Sequence, residues 1–255
     1  MKRKFDLFIY FLKKDIKARY AGSGFGLLWA ILIPLAQIAL FWFVFSGIMK
    51  ARPYSNTQVP YIYFLLSSFF FWLAFSEGII RSSSIIIENA EIIKKIPFPN
   101  ILLPITVIST SYLLNFLGFV FFLIIYTIST GINPLIILVI PIILFQFIFS
   151  IGIGIFIASI VPYVRDINQI LGYILQGMFF LSPIIYSIES VPERFKTIFY
   201  LNPITYFASS YHKIILLREM PPFNYLITII ISSSVVLLVG YYTFKKLKEG
   251  FADVL

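Results

Sequence analysis

The sequence offers few side chains that could perform chemistry. Its one histidine, His212, stands beside Lys213 with no carboxylate cluster nearby, and there is no cysteine, so neither a thiol nucleophile nor a cysteine metal site is available. No G-x-x-x-x-G-K-[ST] phosphate loop occurs, because the glycines at 22, 24 and 26 are not followed by the lysine such a loop needs. We therefore predict no catalytic residue, no metal site and no cofactor held by this chain.

Two ionisable side chains lie at the end of an apolar segment. Glu77 and Arg81 are four residues apart, a spacing that brings two side chains together on a helix. An ionisable residue inside a bilayer usually has a function. A proton relay needs several such acids, however, and this segment has one. We predict that Glu77 and Arg81 form a structural ion pair.

Two charged segments separate long apolar ones and could dock a partner. Residues 84–99 predict a short amphipathic helix over 84–95, ended by Pro97 and Pro99. A compact helix with charged residues beside apolar ones suits docking into a groove of another protein. The second segment is the tight turn at Arg165 and Asp166. From the residues alone, each segment could equally be a solvated loop.

The elements that position these residues are membrane-spanning helices. Charged residues make up 12% of the chain, against about 25% in soluble domains. The 69 residues between Lys95 and Arg165 contain no Asp, Glu, Lys or Arg. As one helix they would be roughly 100 Å long, whereas the hydrocarbon core is about 30 Å thick. We predict an all-α fold and a single transmembrane domain, 1–255, with six spans at about 26–48, 53–76, 101–127, 134–161, 167–188 and 220–244.

Six spans place both termini on one side of the membrane. If that side is the cytoplasm, the inner segments hold 14 of the 20 Lys and Arg residues, as the positive-inside rule requires. The net charge of +9 is then explained by anionic lipid headgroups. We therefore expect no nucleic-acid partner.

Two segments fall outside the spans. In residues 1–22 the apolar side chains recur at helical spacing on one face, which predicts an interfacial amphipathic helix; a flanking sequence whose lysines only fix topology is the alternative. Residues 187–221 are too apolar for a simple loop, and Asn202-Pro203 interrupts them. We predict short re-entrant helices that dip into the outer leaflet. An interfacial loop on the headgroups is the alternative.

The order of several short motifs carries a resemblance to a known family. The chain resembles the permease subunits of type-two ABC exporters of O-antigen and teichoic-acid polysaccharides. The motifs that carry it are Arg19-Tyr20-Ala21-Gly22-Ser23, Gly26-Leu27-Leu28-Trp29 through to Pro34, the 88–99 loop, Tyr163-Val164-Arg165-Asp166, Leu181-Ser182-Pro183-Ile184-Ile185-Tyr186, Val191-Pro192-Glu193 and Asn202-Pro203. At position 22 many members carry a basic residue before the serine, where this chain has glycine.

The resemblance implies partners and roles for these residues. It implies a homodimer in the bacterial inner membrane, paired with two copies of a separate ATPase that binds the ATP and magnesium. The residues implied in coupling to that ATPase are Glu88, Asn89, Glu91, Lys94, Lys95, Pro97, Arg165 and Asp166. Spans one and five would line a channel, with Trp29, Phe41, Phe179 and Tyr186 as candidate contacts for sugars, and the 187–221 hairpin would gate its outer end.

The implied function is export of a lipid-linked polysaccharide, as in lipopolysaccharide biosynthesis. The nearest alternative is a related permease for drugs or lipids. An ion-coupled secondary carrier predicts several intramembrane acids or repeated halves, and the sequence has one such acid and no obvious repeat. A membrane enzyme is disfavoured by the single histidine and the sparse carboxylates.

Overall fold

A computed structural model describes residues 2–19, 22, 24–51, 53–54, 59–95 and 98–255. Throughout these ranges the chain forms helices and turns, without a β-strand. In chain order the helices are α1 (Lys2–Ala18), α2 (Trp29–Ile48), α3 (Tyr61–Glu88), α4 (Ala90–Lys95), α5 (Leu102–Thr130), α6 (Pro134–Ile160), α7 (Asp166–Phe180), α8 (Glu193–Leu201), α9 (Pro203–His212), α10 (Phe223–Gly250) and α11 (Phe251–Val254). The predicted all-α class is confirmed.

Five of the described helices, α2, α3, α5, α6 and α10, are long and apolar enough to cross a membrane. The chain is therefore a multi-pass membrane protein. The prediction of six spans included 167–188, where the structure has the 15-residue helix α7, roughly 22 Å long. The helix stops because Pro183 follows closely, and the residue before a proline is disfavoured in helical geometry.

The second span lies further along the chain than predicted. It was expected at 53–76, but α3 begins at Tyr61, directly after Pro60, and continues to Glu88. Pro60 has extended geometry, with φ −57° and ψ 137°, which fits a proline preceding the first helical turn. The far end extends because the two charges expected to terminate the span are paired inside the protein, as described below.

Helix α3 is the centre of the protein. It packs against α5, α6, α7 and α9, while α10 packs along α6. The crossing of α6 and α10 is closest at two glycines: a Cβ on Gly240 would stand 2.2 Å from the carbonyl oxygen of Gly152. By contrast, α2 is largely exposed, with only Ile38 buried. The helices after α2 therefore form a packed unit, and α2 lies against its side.

Shorter helices flank this unit on two sides, and we call the side where α3 ends and α4 begins the α4 side. Helix α1 lies on the α4 side, within the predicted segment 1–22, and packs against α5 through the buried Phe11; its interfacial placement stays a prediction. On the opposite side, the 187–221 segment contains the two short helices α8 and α9. Most of α9 is buried, from Ile204 to His212.

Candidate functional site

Two ion pairs join the start of the chain to α3. Arg81 Nη1 donates to Asp15 Oδ2 at 2.9 Å, and Arg81 Nη2 bonds the other carboxylate oxygen of Asp15. Glu77 pairs with Arg19, just beyond α1. In both pairs each side chain is 28% exposed or less. Charge-assisted, bidentate contacts of this kind are among the stronger polar interactions in proteins, so they fasten α1 to α3.

This pairing differs from the predicted one. Glu77 and Arg81 were expected to pair with each other along the helix. In the described ranges no ion pair joins them, and each reaches across to the α1 region instead. The helical spacing still matters, because one turn between Glu77 and Arg81 sets the two cross-links side by side.

The predicted coupling helix is shorter than 84–95. Residues 84–88 belong to the end of α3, and only Ala90–Lys95 forms a separate helix. Asn89 makes the break: its Nδ2 donates to the Ile85 carbonyl at 2.9 Å, while its own carbonyl accepts from the backbone of Ile92 and Ile93 at 3.0 Å each. Asn89 thus ends one helix and begins the next.

The charges of α4 face away from the protein. Lys95 Nζ donates to Glu91 at 2.5 Å, and both side chains are more than 70% exposed. An exposed pair at this spacing contributes only about 0.3–0.5 kcal/mol, so little is lost when a partner replaces it. Lys94 is also exposed, and Glu88 accepts from Ser84 at 2.5 Å. Pro97, which was also assigned to this region, lies outside the described residues.

The apolar side of α4 is held by a cluster of buried residues on the α4 side. Ile93 packs against this α4-side cluster, which consists of Phe11, Ile86, Leu103, Ile155, Ala158, Phe244 and Phe251. The cluster joins α1, α3, α5, α6 and α10, so a force applied to α4 reaches several spans through close-packed side chains.

The Arg165–Asp166 turn lies on the same side. Just before it, Tyr163 donates its hydroxyl to the Leu247 carbonyl at 2.7 Å, and its ring centroid lies 6.3 Å from that of Phe251. Arg165 and Asp166 are both exposed. Phe251 also belongs to the α4-side cluster that Ile93 contacts, so α4 and the Arg165–Asp166 turn lie on the same side of the protein, with Phe251 near both. The sequence did not indicate this role for Phe251.

The four predicted channel residues do not form one group. Phe41 and Phe179 are in contact, with ring centroids 5.5 Å apart, and both pack against Phe69 of α3 at 5.7 and 6.3 Å. Trp29, 37% exposed, lies near the start of α2 against Phe25. Tyr186 lies after α7, where its hydroxyl donates to the Phe180 carbonyl. The structure thus brings Phe41 and Phe179 together and places Trp29 and Tyr186 elsewhere.

The non-helical residues after α7 are held by one asparagine. Nδ2 of Asn202 lies within 2.8–3.1 Å of the carbonyl oxygens of Met178 and Leu181 and the hydroxyl of Ser182, and its Oδ1 accepts from the Ile204 backbone at 3.1 Å. A buried turn needs such partners, since unpaired backbone groups are costly in an apolar environment. Asn202-Pro203 stood out in the sequence as a helix interruption, but its partners did not.

His212 is a buried packing residue. It is 2% exposed, its ring centroid lies 4.0 Å from that of Phe64, and its Nε2 is 3.2 Å from the hydroxyl of Ser68. Burial lowers the pKa of this imidazole to about 3, so the ring is neutral at physiological pH. His212 is therefore a neutral side chain that links α9 to α3.

These features define a class: a multi-pass helical membrane protein with an exposed charged helix and turn on one side, in a sequence without a phosphate loop. Residues 6–216 match the family model described as ABC-2 type transporter. The chain belongs to this family, which confirms the resemblance found in the sequence.

Three similar proteins carry the name "O-antigen export system permease protein RfbA". One from Klebsiella pneumoniae is 31% identical, with an alignment covering 98% of this chain and 95% of the relative. A second from the same species is 29% identical. One from Myxococcus xanthus is 25% identical over 97% of this chain and 94% of its own length.

Proposed function

We propose that this chain is the membrane-spanning permease of an ATP-driven exporter that moves a lipid-linked, O-antigen-like polysaccharide outward across the bacterial inner membrane. The observation that carries the proposal is the similarity to O-antigen export permeases along 98% of the chain. The position of α4 also supports the proposal. Its charged residues are exposed and available to a partner, while Ile93 packs against the α4-side cluster, which joins the spans.

The ATPase is a separate subunit in this proposal. The sequence holds no phosphate loop, so ATP and magnesium bind to the partner, and two permease chains pair with two ATPase chains. Glu88, Asn89, Glu91, Lys94 and Lys95, with Pro97, Arg165 and Asp166, form the contact. Because Arg165 and Asp166 are exposed on the same side of the protein as α4, we propose that one partner engages both segments.

The proposed topology has six crossings and cytoplasmic termini. The fifth crossing is α7 continued by the turn at residues 181–187. Alone, α7 is roughly 22 Å long against a core of about 30 Å. Ser182, Ile184 and Ile185 are buried, and non-helical backbone is tolerated at membrane depth where protein covers it. In the same scheme, α8 and α9 dip into the outer leaflet and gate the exit, and α1 lies in the interface.

The channel in this proposal lies between two copies of the chain. Largely exposed, α2 has a free face for a second copy, and α7 contacts α2 through Phe41 and Phe179. Trp29 and Tyr186 would then contact the glycan at either end. The competing function, a permease for drugs or lipids, has the same architecture and differs in cargo.

Deletion of the gene tests the cargo. If the substrate is a lipid-linked polysaccharide, the deleted strain accumulates lipid-linked polymer inside the cell and loses it from the surface, and the wild-type gene restores export. Unchanged surface polysaccharide would contradict the proposal and favour another cargo.

Charge exchange on α4 tests the coupling surface. The double variant Glu91→Lys, Lys94→Glu keeps the net charge but inverts its pattern, so we expect it to insert normally yet lose transport and stimulation of the ATPase. The charge exchange Glu193→Lys with Lys196→Glu is the control for ATPase stimulation only, because this pair lies on α8, on the side away from α4. Wild-type coupling in the α4 variant would rule out this docking surface.

A further inference from the structure

The end of α10 and helix α11 together form residues 247–255, which we call the 247–255 segment. Helix α11 lies next to α4. Its first residue, Phe251, is 1% exposed and belongs to the α4-side cluster, against which Ile93 of α4 packs. Leu255 packs against the same cluster. The segment is therefore in contact with the first of the two structures assigned to the ATPase contact.

One tyrosine joins the 247–255 segment to the second of these structures, the Arg165–Asp166 turn. The hydroxyl of Tyr163 donates to the Leu247 carbonyl at 2.7 Å. The ring centroids of Tyr163 and Phe251 are 6.3 Å apart. A Cβ added at Gly250 would stand 2.4 Å from the same hydroxyl, so the tyrosine lies over a position where only glycine leaves room. These three contacts hold the turn against the segment.

The hydrogen bond from Tyr163 is not one that burial demands. Leu247 is the last residue before α10 passes into the 3-10 turn Lys248–Gly250, and the last carbonyls of an α-helix have no partner within the helix. Tyr163 is 40% exposed, so water can replace its hydroxyl at no large cost. Loss of this hydrogen bond should therefore change where the turn lies and leave the packed helices intact.

We propose that the 247–255 segment is a positioning element, which holds α4 and the Arg165–Asp166 turn in a fixed arrangement so that the ATPase engages both together. Its positioning residues are Gly250 and Phe251, which act through Tyr163 and the α4-side cluster. This inference rests on the proposed function, because it takes these two structures as the ATPase contact. Two linked contacts bind more tightly than one only if their geometry permits simultaneous engagement.

The segment also connects both contacts to two spans. It continues from α10, and α10 crosses α6 closely at Gly152 and Gly240. Close-packed elements transmit a displacement, because the interior has little free volume. A displacement that the ATPase imposes on α4 and the turn would therefore reach α6 and α10 together.

Hydrogen–deuterium exchange of the full chain in lipid nanodiscs tests the positioning without an ATPase or a glycan. Tyr163→Phe removes the hydrogen bond to Leu247 and keeps the ring. We expect the amides of residues 161–168 to exchange about 2- to 12-fold faster, the factor that corresponds to an ordinary hydrogen bond. The matched control is Tyr242→Phe, because Tyr242 is 70% exposed on α10 and its hydroxyl has no hydrogen bond in the described part of the chain. Equal exchange in the two variants would overturn the proposal.

A double variant tests the close approach at Gly250. This residue has a φ of −87°, which alanine also adopts, so Gly250→Ala adds a methyl group without straining the backbone. The methyl group should displace the hydroxyl of Tyr163 and accelerate the same amides. Without the hydroxyl, the nearest ring atom is 3.5 Å away, so Gly250→Ala with Tyr163→Phe should match Tyr163→Phe alone. Additive effects of the two changes would contradict the contact.

Phe251→Ala tests whether one segment holds both contacts. We expect faster exchange of the α4 amides and of residues 161–168 together. Phe223→Ala is the matched control, since Phe223 is 76% exposed at the start of α10, and it should change neither. Acceleration of only one of the two regions by Phe251→Ala would overturn the joint positioning. If Phe251→Ala does not fold, Phe251→Leu makes the same test with a smaller cavity.

Stimulation of the ATPase, measured against the concentration of permease in nanodiscs, separates positioning from stability. A partner must restore the arrangement that Tyr163→Phe loosens, so the half-maximal concentration should rise by up to the same 2- to 12-fold, with the maximal rate unchanged. A lower maximal rate at an unchanged half-maximal concentration would overturn the proposal and assign the segment to stability alone. Absence of stimulation by the wild type would contradict the proposed ATPase contact itself, an outcome distinguishable because the exchange experiment contains no ATPase.

Discussion

Removing the carboxylate of Asp15 tests whether the ion pairs hold α1 against α3. Asp15→Asn keeps the size of the side chain and removes the charge that accepts two hydrogen bonds from Arg81. The pair is partly buried, with exposed fractions of 12% and 25%. Hydrogen bonds to charged groups contribute about 1.5–3 kcal/mol, so we expect a loss of that order in the free energy that keeps α1 docked.

The assay is hydrogen–deuterium exchange of the α1 amides, measured by mass spectrometry on the chain in lipid nanodiscs. A loss of about 1.5–3 kcal/mol corresponds to roughly 10- to 150-fold faster exchange, since about 1.4 kcal/mol is a factor of ten. Only α1 should respond, and α5 serves as an internal reference. Exchanging the charges, with Asp15→Arg and Arg81→Asp together, should restore part of the protection lost by either change alone.

A matched control separates this effect from a general loss of charge. Glu91→Gln breaks a solvent-exposed carboxylate pair on the α4 side, Glu91 with Lys95, in which both partners are more than 70% exposed. An exposed pair contributes about 0.3–0.5 kcal/mol, so α1 exchange should be unchanged. If Asp15→Asn and Glu91→Gln had the same effect on α1, or if the double exchange restored nothing, the ion pair would not be what docks α1.

Three further changes probe the packing. Gly240→Leu should destabilise the protein by about 1–3 kcal/mol or more, because its Cβ would meet the backbone of α6. The control Gly177→Leu, at a position where nothing lies within 4 Å, should have the melting temperature of the wild type. Equal melting temperatures for the two variants would contradict the close crossing of α6 and α10. Asn202→Ala should cost about 2 kcal/mol or more by leaving buried groups unpaired. Asn202→Asp keeps the acceptor for Ile204 but sets a carboxylate oxygen against the carbonyl oxygens of Met178 and Leu181, so it should cost at least as much. A thermal melt in which Asn202→Asp matches the wild type would refute the assignment. The pKa of His212 is about 3 in the folded chain and about 6.5 in the unfolded chain. Between these values the unfolded chain binds a proton that the folded chain does not. The free energy of unfolding should therefore fall as the pH drops from 6.5 towards 3. His212→Asn should flatten that dependence, measured as melting temperature against pH, and an unchanged slope would contradict it.

The spans could be located from sequence because they rest on local composition. Long runs without charge can only be buried in lipid or protein, so α5 and α6 were predicted within a few residues. The second span was misplaced because its window was ended at Glu77. In the structure Glu77 and Arg81 lie inside the helix, since Arg19 and Asp15 neutralise them. A hydropathy scale gives a charged residue the same value whether or not an ion pair neutralises its charge.

Contacts between residues far apart in sequence could not be predicted from local composition. Asp15 and Arg81 are 66 residues apart, and helical periodicity only relates positions within a few turns. The nearer pairing of Glu77 with Arg81 was therefore the one predicted. Asn89 was missed as a break for a similar reason: the apolar pattern over 84–95 is continuous, and only the three-dimensional packing shows that Ile93 lies against the α4-side cluster.

The candidate site was identified chiefly through motif order. The exposed charges of α4 and the Arg165–Asp166 turn were selected from sequence, and both lie on the α4 side of the structure. The channel aromatics were less well selected, because an aromatic residue in a span can face lipid, core or pathway. Phe41 and Phe179 lie in the core contact between α2 and α7, while Trp29 lines a cavity between α2 and α3.

The most direct test of the proposed export function is transport by the reconstituted complex. The chain and its ATPase are placed in proteoliposomes with the ATPase facing outward, and lipid-linked polysaccharide is supplied on that face. We expect the glycan to become protected from an external glycosidase only when ATP is present, and the Glu91→Lys, Lys94→Glu variant to abolish this protection. Glycan that stays accessible despite ATP hydrolysis, or becomes protected without ATP, would contradict the assignment of this chain as a polysaccharide-exporting permease.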